Sequence, residues 1–348
     1  MRTTTVLSAC ATVALLACTS ENGPTGPEGT EAMAPAAAPV AAAVDIWRER
    51  GPHQFGTVIG AAIGVLTNSA GQSVVYGFGG CDVVESSLSY CTVKSIGIYN
   101  PVTEAWTRDA ANEAAVWMSN GVGTIGGKLY VSGGYPTHDR TEGMSRRVWA
   151  YDPAARQVTQ LADMPRATAE GVTGVVNGKL YVLPGSCDAN RWPTAGYCQQ
   201  EPIRRLYRYD PVTNKWGARR SAPHFHRLGA AGVIGGKFYV VGGFRGSQPV
   251  ADLDVYDPVT DTWTTRAPIP TAGRAIGTAL QGKLYVLAGS NAYVYNPSTN
   301  KWSSIAKPTW GHDGVVRVVV NGKPKLLAIG GLHGSHFDQP NNTEVYTP

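Results

Sequence analysis

The sequence predicts an all-β fold assembled from six copies of one four-stranded unit. Composition is the first observation: the 348 residues include 42 Gly, 23 Pro and 16 Tyr, and only 16% are charged. Such a chain has few residues suited to amphipathic helices and many suited to short strands and turns. Hydrophobic residues make up 43% of it, which is enough for a large core and excludes disorder for the bulk of the chain.

Two landmarks that recur along the chain give the number of units. The first is an apolar run that ends in a pair of small residues, found at 74–80, 128–134, 179–185, 237–243, 283–289 and 325–331. The second is a Tyr followed by Asp-Pro or Asn-Pro, with a Trp seven residues after the Tyr; it starts at Tyr99, Tyr209, Tyr256 and Tyr295. The second unit keeps Tyr151 but has Val158 in the Trp position, and the sixth ends at Tyr346 before any Trp. Repetition at this spacing indicates an array of equal structural units.

Turn residues divide each unit into four strands. An apolar strand reaches a Gly-Lys turn, as at Gly127-Lys128, and a second apolar strand ends at the small-residue pair. A loop of variable length follows. The third strand ends at the Tyr, where Asp and Pro suit the first two positions of a type I turn, and the fourth strand carries the Trp.

The small-residue pair, the Tyr and the Trp together resemble the kelch repeat. The resemblance covers essentially all of residues 45–348, at about 50 residues per unit, and implies a six-bladed kelch β-propeller. The sixth unit lacks a fourth strand, whereas Asp45-Ile46-Trp47 has the pattern of a fourth strand without a blade. We therefore predict that this N-terminal strand completes the last blade, with Trp47 in the position that Trp302 has in the fifth.

The first 44 residues have a different composition. Arg2 precedes an apolar run that ends at Cys18 and is too short to span a bilayer. Leu15-Leu16-Ala17-Cys18 resembles the lipobox of bacterial lipoproteins, so residues 1–17 are predicted to be a lipoprotein signal peptide and Cys18 the lipidated residue. A rival motif at Cys10 leaves too short a hydrophobic region, and an ordinary secretory signal is the alternative. Residues 18–44, rich in Ala, Pro and Gly, are predicted to be a flexible linker.

Both interpretations of the N-terminus predict export to the bacterial cell envelope. With lipid at Cys18, the protein is a membrane-anchored lipoprotein of the outer membrane or facing the periplasm. The net charge is +5, and the basic residues form scattered doublets such as Arg146-Arg147, Arg204-Arg205 and Arg219-Arg220. We therefore expect no nucleic-acid partner, and an anionic ligand or an anionic envelope polymer fits better. We expect a monomer without a cofactor.

Strand direction predicts which face of the propeller carries function. The tight Gly-Lys and Asp-Pro turns emerge on one face, and the loops between second and third strands emerge on the other. From small-residue pair to Tyr, these loops range from six residues in the fifth unit to 24 in the third. Variable loops on a regular scaffold are typical of binding surfaces. Two of them contain cysteine pairs, Cys81 with Cys91 and Cys187 with Cys198, for which export favours disulfides over metal ligation or free thiols.

Residues that precede each first strand should surround the mouth of the central channel on this loop face. In kelch propellers that bind acidic peptides an Arg often occupies this position, and Arg274 matches that pattern. No pair of histidines has a strong metal-binding signature, so no metal site is predicted. The residues around the mouth form the predicted ligand-binding set: Trp117, Glu170, His226, Arg227, Arg245, Arg274, His312 and Asp313.

The predicted function is a membrane-tethered, extracytoplasmic binding module that presents the loop face to a protein or a glycan. The alternative is a sugar mutarotase or epimerase, because the periplasmic sialic acid mutarotases resemble this chain in being exported six-bladed kelch propellers. The catalytic candidates are then Glu170, Arg274 and His226, with a general acid/base in the channel mouth and the Arg holding a carboxylate. A structural envelope protein without a discrete ligand is a third possibility.

Overall fold

The computed structural model describes residues 45–52, 57–83, 95–113, 116–136, 143–186, 204–309, 311–331 and 342–348. In this part of the chain, six four-stranded antiparallel sheets form the blades of a β-propeller, which confirms the predicted all-β, six-bladed fold. No helix among these residues is both long enough and apolar enough to cross a membrane.

Strands are numbered along the chain, and each of the first three blades is given from its inner to its outer strand. β1 (Ile46–Pro52) and the short β2 (Thr57–Ile59) precede them. Blade 1 contains β3 (Ala62–Thr67), β4 (Ser73–Phe78), β6 (Ser95–Asn100) and β7 (Ala105–Glu113), and β5 (Cys81–Val83) pairs with β2. Blade 2 contains β8 (Val122–Ile125), β9 (Lys128–Ser132), β10 (Val148–Asp152) and β11 (Gln157–Gln160). Blade 3 contains β12 (Val172–Val176), β13 (Lys179–Leu183), β14 (Arg205–Asp210) and β15 (Lys215–Ser221).

The remaining three blades follow the same pattern. Blade 4 contains β16 (Ala230–Ile234), β17 (Lys237–Val241), β20 (Leu253–Asp257) and β21 (Thr262–Arg266), with a two-stranded ribbon of β18 (Phe244–Arg245) and β19 (Gln248–Pro249). Blade 5 contains β22 (Ala275–Leu280), β23 (Lys283–Ala288), β24 (Asn291–Asn296) and β25 (Lys301–Ser304). Blade 6 contains β26 (Gly314–Val320), β27 (Lys323–Ile329), β28 (Asn342–Thr347) and, as its outer strand, β1.

The inner strands of successive blades pack against one another around a central channel. β26 contacts both β22 and β3, so the ring is closed. The core lies between the blades, where the Tyr of each third strand is buried against the blade before it. The ring of Tyr256 in blade 4, for example, lies 5.7 Å from that of Tyr181 in blade 3. Each such aromatic side chain buries a large apolar area on folding.

The small-residue pairs are required by close contact between blades on the loop face. Gly79 has a φ of 61°, and a Cβ atom there would lie 1.7 Å from the carbonyl oxygen of Val116 in the next blade. The following N–H, that of Gly80, donates to the same carbonyl at 3.0 Å. Glycine is therefore needed both for its backbone conformation and for the approach of the next blade.

An Asn or Asp two residues before the Trp joins neighbouring blades. In blade 5, Asn300 Oδ1 accepts hydrogen bonds from the Tyr295 hydroxyl at 2.7 Å and from the N–H of Ala267, in blade 4, at 3.0 Å. Trp302 Nε1 donates to the carbonyl of the same Ala267 at 2.8 Å. We call this arrangement the inter-blade latch. It recurs in blade 3, where Asn214 and Trp216 hold Ala162, and in blade 4, where Asp261 and Trp263 hold Arg220.

The N-terminal strand supplies the latch of blade 6, and the predicted closure is confirmed. β1 pairs with β28, and Trp47 lies opposite Tyr346. Asp45 Oδ1 accepts hydrogen bonds from the Tyr346 hydroxyl at 2.8 Å and from the N–H of Ala306, in blade 5, at 3.1 Å. Trp47 Nε1 donates to the Ala306 carbonyl at 2.8 Å, and its ring centroid lies 5.1 Å from that of Tyr346, the same distance as in blades 3, 4 and 5.

Blades 1 and 2 have neither Asn nor Asp at the latch position and use charged pairs instead. Glu104 takes this position in blade 1 and forms an ion pair with Arg50 of β1, the outer strand of blade 6. In blade 2 the position is Arg156, which pairs at 3.0 Å with the buried Asp109 of blade 1. Asp109 also accepts the hydroxyl hydrogen bond of Tyr151 at 2.9 Å, so here the acceptor comes from the preceding blade.

The latch of blade 6 can be tested with substitutions at Asp45. Asp45→Ala removes the acceptor for two hydrogen bonds at a blade interface and should lower the free energy of unfolding by about 1–3 kcal/mol. Asp45→Asn keeps the acceptor Oδ1, and Asn tolerates the positive φ of this position, 57°. This variant should therefore lower the free energy of unfolding by less than about 1 kcal/mol. Urea denaturation measures both, and equal losses for the two variants would contradict the latch.

Candidate functional site

A belt of hydrogen bonds joins the blades around the channel mouth on the loop face. Each of these bonds runs from a backbone N–H to the backbone carbonyl of a residue in the preceding blade. The donor and acceptor residues are Met118 to Gly60 at 2.9 Å, Glu170 to Met118 at 3.0 Å, Leu228 to Glu170 at 2.8 Å and Ala275 to Leu228 at 3.0 Å. Gly60, Met118, Glu170 and Leu228 precede the inner strands of blades 1 to 4, and Ala275 begins the inner strand of blade 5. The channel behind them has a volume of about 280 Å³. The backbone at its mouth is therefore fixed from blade to blade.

Arg274 and Asp313 complete this belt between blades 5, 6 and 1. The Arg274 guanidinium forms an ion pair with Asp313 Oδ1, and the other carboxylate oxygen accepts the N–H of Gly60 at 3.0 Å. The Asp313 side chain is 6% exposed, whereas that of Arg274 is 50% exposed. The buried carboxylate is thus satisfied inside the protein, and the cation faces the solvent at the channel mouth.

Glu170 is paired with Arg227 of the neighbouring blade. Its side chain is 2% exposed, and Oε2 accepts hydrogen bonds from Arg227 Nη1 at 2.8 Å and from the Ser186 hydroxyl at 2.6 Å. Arg227 also donates to the Gly246 carbonyl and lies over the ring of Phe244. Glu170 and Arg274 both line the channel, but each has its own partner.

A second cavity opens between blades 5 and 6, beside Arg274. It measures about 500 Å³ and exists because blade 5 has the shortest loop, with only Gly289 and Ser290 between β23 and β24. Two cations border this cleft, Arg274 and the exposed Lys307. Its other lining side chains are both polar and apolar, and they include Ile276, Leu287, Ser290, Asn291, Pro308, Thr309, His312 and Asp313.

The structure buries His226, a predicted ligand-binding residue, beneath the loop face. Its side chain is 0% exposed; Nδ1 lies 2.9 Å from the Gly242 carbonyl and Nε2 lies 3.2 Å from Asp254 Oδ2. Asp254 also accepts hydrogen bonds from the Thr265 hydroxyl at 2.7 Å and from the backbone N–H of His224 at 3.1 Å. This ring supports the loop of blade 4 from inside rather than facing the channel mouth.

His312 has the equivalent place in blade 6. Its side chain is also 0% exposed, with Nδ1 3.2 Å from the Gly330 carbonyl and Nε2 2.7 Å from Glu344 Oε2. Glu344 Oε1 accepts the N–H of Thr309, at the edge of the cleft. His312 therefore holds the wall of the cleft in position. In the described part of the chain, no three His, Cys, Asp or Glu side chains are grouped as metal ligands.

Two other predicted residues lie away from the channel. Trp117 is buried, with its ring 5.5 Å from that of Tyr135, which follows the second strand of the same blade. Arg245 is exposed on the ribbon of blade 4 and lies over the ring of Phe225. The predicted disulfides involve Cys91, Cys187 and Cys198, which lie outside the described residues, as does the side chain of Cys81 in β5. Cys18 also lies outside them.

Sequence reasoning did not identify Ser186, Lys307 or the partners of the two buried histidines. Asp254 and Glu344 lie in third strands, 28 and 32 residues after the histidines they contact. A carboxylate inside an otherwise apolar third strand, as in Leu253–Asp257, was the available signal, because such a group requires a buried partner.

The buried carboxylate of Asp254 gives a pH prediction. Burial works to raise its pKa, but the hydrogen bond and charge of His226, together with Thr265 and His224, lower the pKa below the usual range. A depressed pKa in the folded state stabilises the fold above the unfolded-state value, near 4, and this contribution disappears as pH falls through the folded-state value. Asp254→Asn should therefore unfold at lower urea concentration than the wild type at pH 7, with the gap narrowing below about pH 4. A gap that is constant from pH 7 to pH 3 would contradict this assignment.

Comparison with known proteins agrees with the repeat pattern. The kelch motif matches residues 168–216, 227–270 and 277–309. Kelch-like protein terF of Aspergillus terreus is 27% identical over 65% of this chain and 53% of its own length. Kelch-like protein 23 of Homo sapiens is 26% identical over 74% of this chain and 44% of its own length. The chain thus spans about half the length of these relatives.

Among solved structures, the one titled "Structure of YjhT" is similar with a TM-score of 0.62 and 18% identity, over 82% of this chain and 93% of that one. At this identity the likeness concerns the fold alone. With kelch motifs in blades 3, 4 and 5 and the same latch extended to blade 6, the chain belongs to the kelch-repeat β-propellers.

Proposed function

We propose that this protein is a binding module that presents the loop face to a protein ligand, and that Arg274 receives an acidic group of that ligand. The observation that carries the proposal is the unequal exposure of the Arg274–Asp313 pair. Half of the Arg274 side chain faces solvent, while Asp313 is nearly buried and accepts a backbone N–H with its second oxygen. The guanidinium keeps donors directed outward, in the planar arrangement that suits a carboxylate.

The cleft between blades 5 and 6 extends this site. Lys307 adds a second exposed cation, and Ile276, Leu287 and Pro308 provide apolar surface beside the two charges. The carboxylate that lines the cleft, Asp313, is already neutralised by Arg274. A ligand segment that places an acidic side chain at Arg274 and an apolar one in the cleft would satisfy both kinds of surface.

The contacts of Glu170 support binding rather than sugar isomerisation. A general base must be able to take a proton from the substrate, and it works best when its pKa lies near the operating pH. Glu170 is almost fully buried, and the same oxygen accepts hydrogen bonds from Arg227 and Ser186. His226, the other acid/base candidate, is buried against Asp254. Both groups are occupied by structural contacts.

The site of action belongs to the same proposal. Residues 1–17 would be removed as a signal peptide, lipid at Cys18 would anchor the protein to a membrane of the envelope, and residues 18–44 would separate the anchor from the propeller. The support is the sequence Leu15 to Cys18 after a short apolar run, followed by the Ala-, Pro- and Gly-rich segment. Binding of a glycan on the loop face and mutarotase activity are the alternatives to this proposal.

The role of Arg274 is tested with peptides selected on the wild-type protein from a random library. We expect the selected peptides to contain Asp or Glu, and Arg274→Ala to weaken their binding at least tenfold, because the receiving cation is lost. Lys283→Ala is the matched control, since Lys283 is an exposed cation of blade 5 in the Gly-Lys turn on the opposite face. It should leave affinity within twofold.

Equal binding by Arg274→Ala and the wild type would remove Arg274 from the site. Catalysis is tested separately by NMR, following the exchange of anomers of sialic acid and other reducing sugars. Rate enhancement by the wild type that is lost in Glu170→Gln would contradict a purely binding function.

The anchor is tested with Cys18→Ala in a bacterial host that processes lipoproteins. The wild type should partition with membranes and the variant should be released in soluble form, because a diacylated Cys contributes the buried methylene groups that hold the protein to lipid. Fractionation followed by immunodetection measures the difference. Membrane partition of the variant at the wild-type level would contradict lipidation at Cys18.

A further inference from the structure

Tight turns cover the face of the propeller opposite the loop face, and we call it the turn face. It is formed by the turns between first and second strands and by those between third and fourth strands. In blades 2, 3 and 4 an ion pair joins the two turns of the blade, from the Lys after the first turn to the Asp before the second. The pairs are Lys128–Asp152 at 3.1 Å, Lys179–Asp210 at 2.6 Å and Lys237–Asp257 at 2.8 Å. These three lysines are therefore neutralised within the protein.

Blades 5 and 6 keep the lysines but lack the aspartates. Lys283 begins β23 of blade 5, and the residue that ends the third strand of this blade is Asn296. Lys323 begins β27 of blade 6, where β28 ends at Thr347 without an Asp-Pro turn. Both lysines are exposed, and Lys301 adds another exposed cation at the start of β25. Positive charge that no aspartate neutralises thus lies on the turn face at blades 5 and 6.

Two more cations of blade 6 lie on one face of its sheet, the face toward blade 1. The indole of Trp47 reaches blade 5, so Trp47 and Glu49 lie on the blade 5 side of β1 and Arg48 lies on the blade 1 side. On β27, Leu326 packs into the core between blades 5 and 6, so Lys325 also lies on the blade 1 side. Alternation along two strands therefore places Arg48 and Lys325 on the same face.

Arg48, Lys323 and Lys325 form a group that we call the basic cluster. Burial lowers the pKa of Lys325, and the charges of Arg50, Lys323 and Arg48 lower it further, because these cations lie close to it. Arg50 is paired with Glu104 of blade 1. Within the described ranges, the three members of the cluster form no ion pair with a carboxylate. An anionic group from outside the protein would relieve their mutual repulsion.

Apolar side chains accompany these cations on the turn face. Among the described residues three large hydrophobic side chains are exposed, and all three belong to this face: Ile46, Val212 and Val259. Val212 and Val259 follow the prolines of the Asp-Pro turns in blades 3 and 4 and are 85% and 87% exposed. Ile46 lies two residues before Arg48, on the same face of the sheet. Cations beside protruding apolar side chains are the combination that binds the surface of an anionic bilayer.

We propose that the turn face binds an anionic lipid bilayer through the basic cluster, with Lys283 and Lys301 beside it. The point where the N-terminal segment joins the propeller favours this partner. β1 begins where β28 ends, with Ile46 opposite Thr347, and this end of the sheet also holds the basic cluster. Residue 44 is therefore joined to the propeller at the turn face. The inference rests on the membrane anchor of the proposed function, and it directs the loop face away from the lipid.

A bilayer fits this face better than a soluble polyanion. The cations lie in blades 5 and 6 and the apolar side chains in blades 3, 4 and 6, a distribution that suits a broad surface. Neither of the two cavities described above is lined by a member of the basic cluster. Surface cations alone give a weak attachment that salt screens, whereas cations combined with a lipid chain hold a protein stably. The turn face would thus orient the protein on the membrane, and the lipid would retain it.

The test uses the full chain with Cys18→Ala, so that no lipid chain contributes and residues 1–44 are the same in every protein compared. In this background, Arg48→Gln/Lys323→Gln removes two exposed cations of the basic cluster. Arg147→Gln/Arg245→Gln removes two exposed cations on the loop-face side of blades 2 and 4 and has the same net charge. Sedimentation with vesicles of phosphatidylcholine and phosphatidylglycerol at about 0.1 M salt measures binding. Pure phosphatidylcholine vesicles are the neutral probe, and thermal melting confirms that each variant is folded.

We expect the basic-cluster variant to bind the anionic vesicles at least tenfold more weakly than its parent and the loop-face variant to remain within twofold. Neutral vesicles should bind the parent at least tenfold more weakly. Equal weakening in the two charge variants, or equal binding of anionic and neutral vesicles, would overturn the proposal.

A third variant separates a bilayer from a soluble polyanion. Val212→Ser/Val259→Ser leaves the charge unchanged and should weaken vesicle binding at least threefold, because apolar contact with the lipid is lost. Unchanged binding by this variant would overturn the bilayer as the partner. The vesicle assay omits the lipid at Cys18 and leaves Arg274 intact, so its failure is distinguishable from failure of the anchor or of the loop-face site.

Discussion

The inter-blade latch is the interaction on which the rest of the structure depends. A propeller blade is a small sheet that cannot bury both faces alone, so its stability comes from contact with its neighbours. The latch makes that contact specific, because an Asn or Asp oxygen and a Trp indole together hold both the N–H and the C=O of one residue of the preceding blade. Apolar packing between sheets has no such directional preference. The latch therefore sets the relative positions of blades 2 to 6, and charged pairs take its place where blade 1 meets blades 6 and 2.

Ring closure follows from the same interaction. Asp45 and Trp47 place the latch of blade 6 on the strand that begins the described chain, so the two ends of the propeller are held together in one sheet. On the loop face, the ion pair of Arg274 with Asp313 and the hydrogen bond from Gly60 join blades 5, 6 and 1 where the backbone belt ends. Closure is thus made once at the outer edge and once at the channel mouth. The second closure also leaves a cation exposed, which links the stability of the ring to the proposed binding site.

The sequence was sufficient for the repeat number and the closing strand, because both depend on features that a linear pattern contains. The sixth unit has no fourth strand after Tyr346, and Trp47 belongs to no complete unit of its own. Together these two features predict that the strand with Trp47 completes the sixth blade. Side-chain partners were less accessible. Glu170 was predicted to act beside Arg274, but the order of blades places Arg227 next to it. His226 and His312 were assigned to the ligand site because their position in the repeat is near the mouth. The carboxylates that contact the two buried rings, Asp254 and Glu344, lie in third strands. The sequence alone does not show which carboxylate contacts which histidine, because that depends on the three-dimensional register of the strands.

The most direct test of closure is native-state hydrogen exchange measured by NMR on the wild-type protein. The Trp47 indole N–H and the Ala306 backbone N–H form the latch between blades 5 and 6, and those of Trp302 and Ala267 form the equivalent latch between blades 4 and 5. If β1 closes the ring as an integral strand, the two sets should exchange at similar slow rates, governed by opening of the whole propeller. Exchange of the Trp47 and Ala306 protons that is orders of magnitude faster than that of the Trp302 and Ala267 protons would contradict closure by the N-terminal strand.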